Sequence, residues 1–276
     1  MRRISALALA LLGLAASVAA QTSAAINKQR VTYKSGDLTL VGFVYKPAGA
    51  GPFPTVIWNH GSEQNPGGGP QFDSVAAVFL PAGYALFAPT RRGHGESEGK
   101  YIRDALAQVM QSSGREAFQR ETVHLLETEQ LDDQLAGLAY AKHLVFVDTN
   151  RLVVAGCSYG GIQTLLGAER GVGYKAAISI SPAALSWEGV PPLRDRLVKA
   201  VAKITVPVFL IQPPKDASLE PSRVIGAEFK RLGKQYTGKI YPETGPEDEQ
   251  THCFGGAKGM HVWASDARAF LAGVIK

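Results

Sequence analysis

Ser158, Asp216 and His252 are the side chains of this sequence whose types and order suit nucleophilic catalysis. A serine hydroxyl is a weak nucleophile until a base takes its proton, and that base needs an acid to orient it. Ser158 stands in Gly156-Cys157-Ser158-Tyr159-Gly160-Gly161, a G-x-S-x-G pattern between the apolar runs 152–155 and 162–166. The first run predicts a buried strand and the second the opening turns of a helix. So sharp a strand-to-helix turn leaves no room for a Cβ two residues before or after the serine, hence Gly156 and Gly160. It sets the serine at a helix N-terminus, where free N–H groups and the helix dipole favour a developing oxyanion. The bland alternative is a glycine-rich turn with an incidental serine, and the two flanking elements argue against it.

Asp216 follows the apolar strand 206–211 directly, and in an open α/β sheet functional groups gather beyond the carboxyl ends of the strands. Its competing role is to cap a helix over 218–232. Glu243, Glu247, Asp248 and Glu249 read as a solvated acidic loop. For the base, His252 lies in the irregular run Thr251-His252-Cys253-Phe254-Gly255-Gly256, whereas His261 opens the last helix, where a helix-start role suffices. The oxyanion hole is expected from the backbone N–H of Tyr159 and from that of Ser62 in His60-Gly61-Ser62-Glu63, after the first central strand. His60 and His94 are read as structural. Gly93-x-Gly95 is too short for a dinucleotide fingerprint.

The elements that must position these residues follow from periodicity. Residues 31–35 and 38–46 alternate apolar and polar across Gly36-Asp37 and predict an antiparallel hairpin. Strands are expected at 55–59, 84–88, 152–155, 175–180, 206–211 and 239–241. Helices are expected at 72–82, over most of 100–143 with a break near Gly114, and at 218–232 and 262–275. Segment 183–203, with Trp187 and Pro191-Pro192, is expected to wall a substrate pocket together with the helices after Ser97. Strand and helix alternate from residue 55 onward, which predicts a largely parallel sheet covered on both faces.

The 276 residues are ample for one large α/β domain, expected over 21–276. Before it, Met1-Arg2-Arg3, the apolar run 4–18 and Val18-Ala19-Ala20 read as a signal peptide over 1–20. The expected mature protein is therefore secreted or periplasmic and has no membrane anchor. The formal net charge of +5 includes Arg2 and Arg3, and the remaining cations are scattered with no basic stripe. That gives no support for nucleic-acid binding. No metal-ligand spacing appears, and neither a metal nor an organic cofactor is expected. The two cysteines, Cys157 and Cys253, are expected to be buried thiols on the active-site floor, with one disulfide as the alternative.

With these residues assembled, the chain resembles the α/β-hydrolase superfamily, in particular its dienelactone hydrolase-like and prolyl oligopeptidase-like esterase branches. The resemblance spans residues 30–276. Its carriers are Asn59-His60-Gly61-Ser62-Glu63, the run 91–97, the Ser158 elbow, Asp216 ahead of Pro221-Ser222, and Tyr241-Pro242 followed by His252-Cys253-Phe254. The order Ser158, Asp216, His252 is that of this superfamily. The resemblance also implies a Trp and a Phe-Leu pair in the last helix, met by Trp263 and Phe270-Leu271. Dienelactone hydrolases carry cysteine at the centre of the elbow, whereas this chain has serine there and cysteine one position earlier. The peptidase branch usually adds an N-terminal propeller, which this sequence does not contain. The expectation is a serine hydrolase that cleaves a small carboxylic ester. A small peptidase or amidase with the same triad, and a catalytically silent binding protein, are the alternatives.

Overall fold

The computed structural model describes residues 27–276, so the expected leader lies outside the described residues. β1 (Gln29–Ser35) and β2 (Leu38–Tyr45) pair antiparallel, with Ser35 opposite Leu38. Gly36 in the connecting turn takes φ +56, as a two-residue hairpin of this hand requires. The other strands are β3 (Phe53–Asn59), β4 (Ala85–Thr90), β5 (Val147–Cys157), β6 (Tyr174–Ile180), β7 (Val208–Gln212) and β8 (Tyr236–Ile240). The sheet order is β1-β2-β4-β3-β5-β6-β7-β8, and every pair from β4 to β8 is parallel. The expected α/β-hydrolase architecture is therefore present, with its antiparallel N-terminal pair at one edge.

Successive side chains of a strand point to opposite faces, and the two cores show this directly. Leu152 and Val154 of β5 join one cluster, whereas Val153, Ala155 and Cys157 join the other. The first face is covered by α2 (Ile102–Glu127), α3 (Glu129–Lys142), α4 (Tyr159–Glu169), α5 (Pro191–Lys203) and α6 (Glu220–Arg231). The second is covered by α1 (Gln71–Phe79) and α7 (Met260–Val274). Trp263 stacks on Trp58 across this second core, with ring centroids 6.3 Å apart, and Phe270 stacks on Phe209. Burying one such aromatic side chain contributes on the order of 1.5–3 kcal/mol.

The helices meet one expectation and change another. Within α2 the predicted break is real, since Gly114 has φ 78 and ψ −175. However, Pro191-Pro192 opens α5 where no helix was expected. Proline lacks an N–H, but the first helical positions have no intrahelical acceptor for one. Trp187 is only 3% exposed and packs in the first core with Val190 and Leu193, so it is a core side chain. Among the described residues, no helix is long and apolar enough to cross a membrane.

Because β3, β4, β5, β6 and β7 are parallel, their carboxyl ends share one edge of the sheet. The loops leaving that edge carry Ser62, the 91–97 run, Ser158, Ser181 and Asp216.

Candidate active site

Ser158 joins β5 to α4 with φ 59 and ψ −121, a conformation that side-chain-bearing residues rarely adopt. The turn tolerates it because its neighbours are stripped of side chains. A Cβ on Gly156 would stand 2.5 Å from the Asn59 carbonyl oxygen, and one on Gly160 would overlap the same atom. Both obstacles are backbone, so neither can swing aside. Ser158 N–H donates to the Ile180 carbonyl at 3.0 Å, which ties the elbow to β6.

The loop after β3 lies against the nucleophile. A Cβ built on Gly61 would touch Ser158 Cβ at 3.5 Å and displace the Glu63 carboxylate, whose Oε2 would stand 2.5 Å away. Neither Ser62 N–H nor Tyr159 N–H donates to a protein acceptor among the described residues. Both are therefore left free to donate to an oxyanion. The loop is anchored from beneath by Arg91, which is 1% exposed. Its guanidinium donates to the Gly61 carbonyl at 2.6 Å and to Gln130 at 3.0 Å. Burial lowers the Arg91 pKa to about 10, while Glu63 and Asp133 act in the opposite direction. Tyr101 donates its hydroxyl to the Ser62 carbonyl from above.

His60 and His94 support this loop. His60 Nε2 accepts the Arg91 N–H at 3.1 Å, and the two imidazoles meet edge to face at 4.6 Å. Burial, with Arg91 beside them, pushes His60 well below the ordinary histidine range and His94 down to about 3. Both rings stay neutral near pH 7, which suits support better than proton transfer.

The structure brings His252 and Asp216 together. His252 Nδ1 donates to Asp216 Oδ1 at 2.7 Å, and its Nε2 is buried without a protein partner. No hydrogen bond joins His252 Nε2 to Ser158 among the described residues, and contacts of this kind often tighten only when substrate binds. Asp216 caps no helix. The N-cap of α6 is Leu219, and the Asp216 oxygens accept from His252, Gln212 and the adjacent Ala217 N–H. Burial opposes the Asp216 charge, but hydrogen bonds and charge from His252, then Gln212 and Ser181, outweigh it and hold the carboxyl below its ordinary range. The other histidine, His261, is mostly exposed and faces Glu249 at 3.3 Å.

Because its folded-state pKa is depressed, the Asp216 carboxylate adds stability above the ordinary carboxylate value of about 4 and loses it as pH falls through the lower folded value. Urea midpoints of wild type and Asp216→Asn should accordingly differ most near pH 6 and converge in acid. A gap that widens in acid would show the sign to be wrong.

The cysteines correct an expectation. Cys157 and Cys253 form a disulfide with Cα atoms 6.0 Å apart, in place of two thiols. The end of β5 and the loop before α7 converge at the same sheet edge, within the span a disulfide needs. The acidic loop is a surface. Lys215 pairs with Glu243 and Glu247, and Lys258 with Asp248. No group of three potential metal ligands occurs among the described residues. A cleft of about 350 Å³ lies one loop away, lined by Val41, Phe43, Asn65, Gly68 and Glu96, and holds none of the three candidate catalytic residues.

Sequence reasoning missed Ser181. This fully buried residue ends β6 with φ 48. Its hydroxyl accepts the Cys253 N–H at 3.4 Å and favours the Asp216 charge, so it sits between the acid loop and the histidine loop. The only sequence signal was its position at a strand end. Ser181→Ala should lower kcat about ten-fold with KM little changed, the effect of losing hydrogen bonds of roughly 1 kcal/mol each from the orienting network. An unchanged kcat would remove Ser181 from it.

The sequence profile of the prolyl oligopeptidase family matches residues 105–188, from α2 through the elbow to the loop beyond β6. The chain thus has the α/β-hydrolase fold, and the part of it that matches this profile spans the serine elbow. It is 28% identical over 156 residues to the quorum-quenching protein AidA of Acinetobacter baumannii, a match covering 55% of this chain and 43% of that one. The aligned part is thus less than half of that relative. Among solved structures, the Pyrococcus furiosus esterase Pf2001 superposes with a TM-score of 0.67 at 17% identity, over 91% of this chain and 94% of the other. Est1E of Butyrivibrio proteoclasticus, solved with ferulic acid bound, gives 0.66 at 20% identity, over 88% and 98%. The Pyrococcus horikoshii acylaminoacyl peptidase gives 0.67 at 18% identity, over 91% of this chain and 42% of the peptidase.

Proposed function

We propose that the protein hydrolyses small carboxylic esters with Ser158 as nucleophile, His252 as general base and Asp216 as the acid that orients it. The observation that carries this reading is the 2.7 Å bond from His252 Nδ1 to Asp216 beside a serine elbow. That bond places the proton on Nδ1 and leaves Nε2 as the acceptor for the serine proton. As Ser158 Oγ bonds to the ester carbon, the carbonyl oxygen gains charge and is met by the Tyr159 and Ser62 N–H groups. The alkoxide leaves with the proton held on His252, and water then releases the acid from the acyl-enzyme by the same steps.

The ester reading draws support from Pf2001 and Est1E, which this chain matches over nearly their whole length. The prolyl oligopeptidase match and the peptidase neighbour favour a second reading, cleavage of short peptide amides. Turnover of p-nitrophenyl acyl esters against aminoacyl anilides separates the two, and a higher kcat/KM on anilides would overturn the ester reading. An activated-serine phosphonate tests for a silent binding protein, which would take no label. The dienelactone hydrolase-like subtype and an extracytoplasmic location belong to the same proposal. The leader-like residues 1–20 and the disulfide, a bond that persists in oxidising compartments, support that location.

A further inference from the structure

His252 sits on an irregular turn between β8 and α7, in a backbone that resists its own shape. Cys253 and Phe254, the two residues after it, have φ 55 and 56, in the left-handed region that side-chain-bearing residues disfavour. Besides the His252–Asp216 bond, several non-covalent contacts hold the turn. Lys215 N–H reaches the Gln250 carbonyl at 2.9 Å, Cys253 N–H reaches Ser181 at 3.4 Å, and Phe254 packs edge-on against Tyr241. The one covalent tie is the disulfide. Its two ends are the residue immediately before Ser158 and the residue immediately after His252.

We infer that the Cys157–Cys253 disulfide is a positioning cross-link that holds His252 against Ser158 and makes hydrolysis depend on the protein's thiol redox state. The inference rests on Ser158 and His252 being nucleophile and base. Cys157 is 4% exposed and packed in the second core beside Ala155 and Ile180, so its sulfur has little freedom to move. Two separate thiols require van der Waals separation where a bond stood. On reduction the partly exposed Cys253 must yield, and His252 moves with it. A misplacement of about 1 Å in a catalytic group can cost on the order of 100-fold in rate.

The redox step needs a dithiol. One thiolate of the reagent attacks the Cys253 sulfur, and Cys157 leaves as a thiolate that takes up a proton. The second thiol of the reagent then closes on the mixed disulfide and frees Cys253 as a thiol. Two electrons and two protons pass to the protein, and the reagent departs as a cyclic disulfide.

The test compares the oxidised chain, the chain reduced with dithiothreitol, the reoxidised chain, and Cys157→Ala/Cys253→Ala with and without reductant. The readouts are kcat and KM on a short acyl ester, near-UV circular dichroism, and the low-field proton NMR signal of His252 Nδ1–H bonded to Asp216. The expected result is a ten- to hundred-fold fall in kcat on reduction with KM within two-fold. Dichroism should stay native, the NMR signal should broaden or vanish, and reoxidation should restore both. The double variant should be slow in either condition and indifferent to the reagent. Full kcat in the folded reduced chain or in the double variant overturns the inference. So does a loss of kcat that follows a loss of dichroism one to one, since the bond would then only stabilise the fold. If the oxidised chain hydrolyses no ester, the ester reading fails by itself, and the NMR signal still decides whether the cross-link positions His252.

Discussion

Ser158→Ala and His252→Ala should each lower kcat on a short acyl ester by about 10⁴- to 10⁶-fold, and the double variant should be no slower than the slower single one. The non-additivity is the informative part. Once the hydroxyl is gone the base has no proton to take, and once the base is gone the hydroxyl stays protonated, so either loss removes the same step. The residual rate comes from binding and from the free N–H groups of Tyr159 and Ser62, which both variants keep. Ser158→Ala should also abolish phosphonate labelling. Dichroism should be native in both variants, because Ser158 is held at φ 59 by its glycine neighbours and by its own N–H bond to Ile180. If Ser158→Ala keeps more than a few per cent of wild-type kcat, another residue is the nucleophile and the elbow reading fails.

Asp133→Ala should destabilise the fold by about 3–5 kcal/mol, the cost of stripping a buried charge of its partner. Asp133 is fully buried on α3. Its carboxylate accepts from the Ser35 hydroxyl at 2.7 Å, from Arg92 N–H at 2.8 Å, and from the Arg92 guanidinium at 2.9 and 2.8 Å. It thereby joins the end of β1, the loop after β4 and the first-face helices. The hydrogen bonds to Asp133 raise the Arg92 pKa despite its partial burial. Removing the carboxylate leaves Arg92, 16% exposed at its side chain, with Glu129 at 3.3 Å as its remaining ion-pair partner. A second consequence should appear in activity. Arg91, which anchors the Gly61 carbonyl, is the neighbour of Arg92, so a loosened 91–97 loop reaches the Ser62 backbone. Urea unfolding measures the first effect. A loss below 1 kcal/mol would show that water replaces Asp133 at little cost.

Much of the site was legible because it is governed by local stereochemistry. The glycines around Ser158 answer to the Asn59 carbonyl oxygen at the end of the neighbouring strand β3, and the pattern that meets this demand is written in adjacent letters. Asp216 could be picked out because an apolar run of strand length ends just before it. His252 was preferred over His261 because irregular sequence surrounds it, and the structure pairs it with Asp216 while His261 faces solvent and Glu249. The reading of α5 failed for a physical reason too. Segment 183–203 was expected only to wall a pocket, yet the first turn of a helix accepts the two prolines that open α5.

The sequence by itself determined the strand-turn-helix around Ser158, the order of the three chemical residues and the alternation that makes a covered parallel sheet. The elbow and the alternation are local patterns set by sterics and periodicity, and the order is read directly along the chain. Only the tertiary structure decided that Ser181 meets the histidine loop, that Asp133 reaches Arg92, and that Cys157 bonds to Cys253 across 96 positions of chain. These pairings exist because parallel strands bring their carboxyl ends to one edge, so their partners are chosen by packing. For the same reason the sequence carried the disulfide only as the alternative to two buried thiols, and the fold makes the bond.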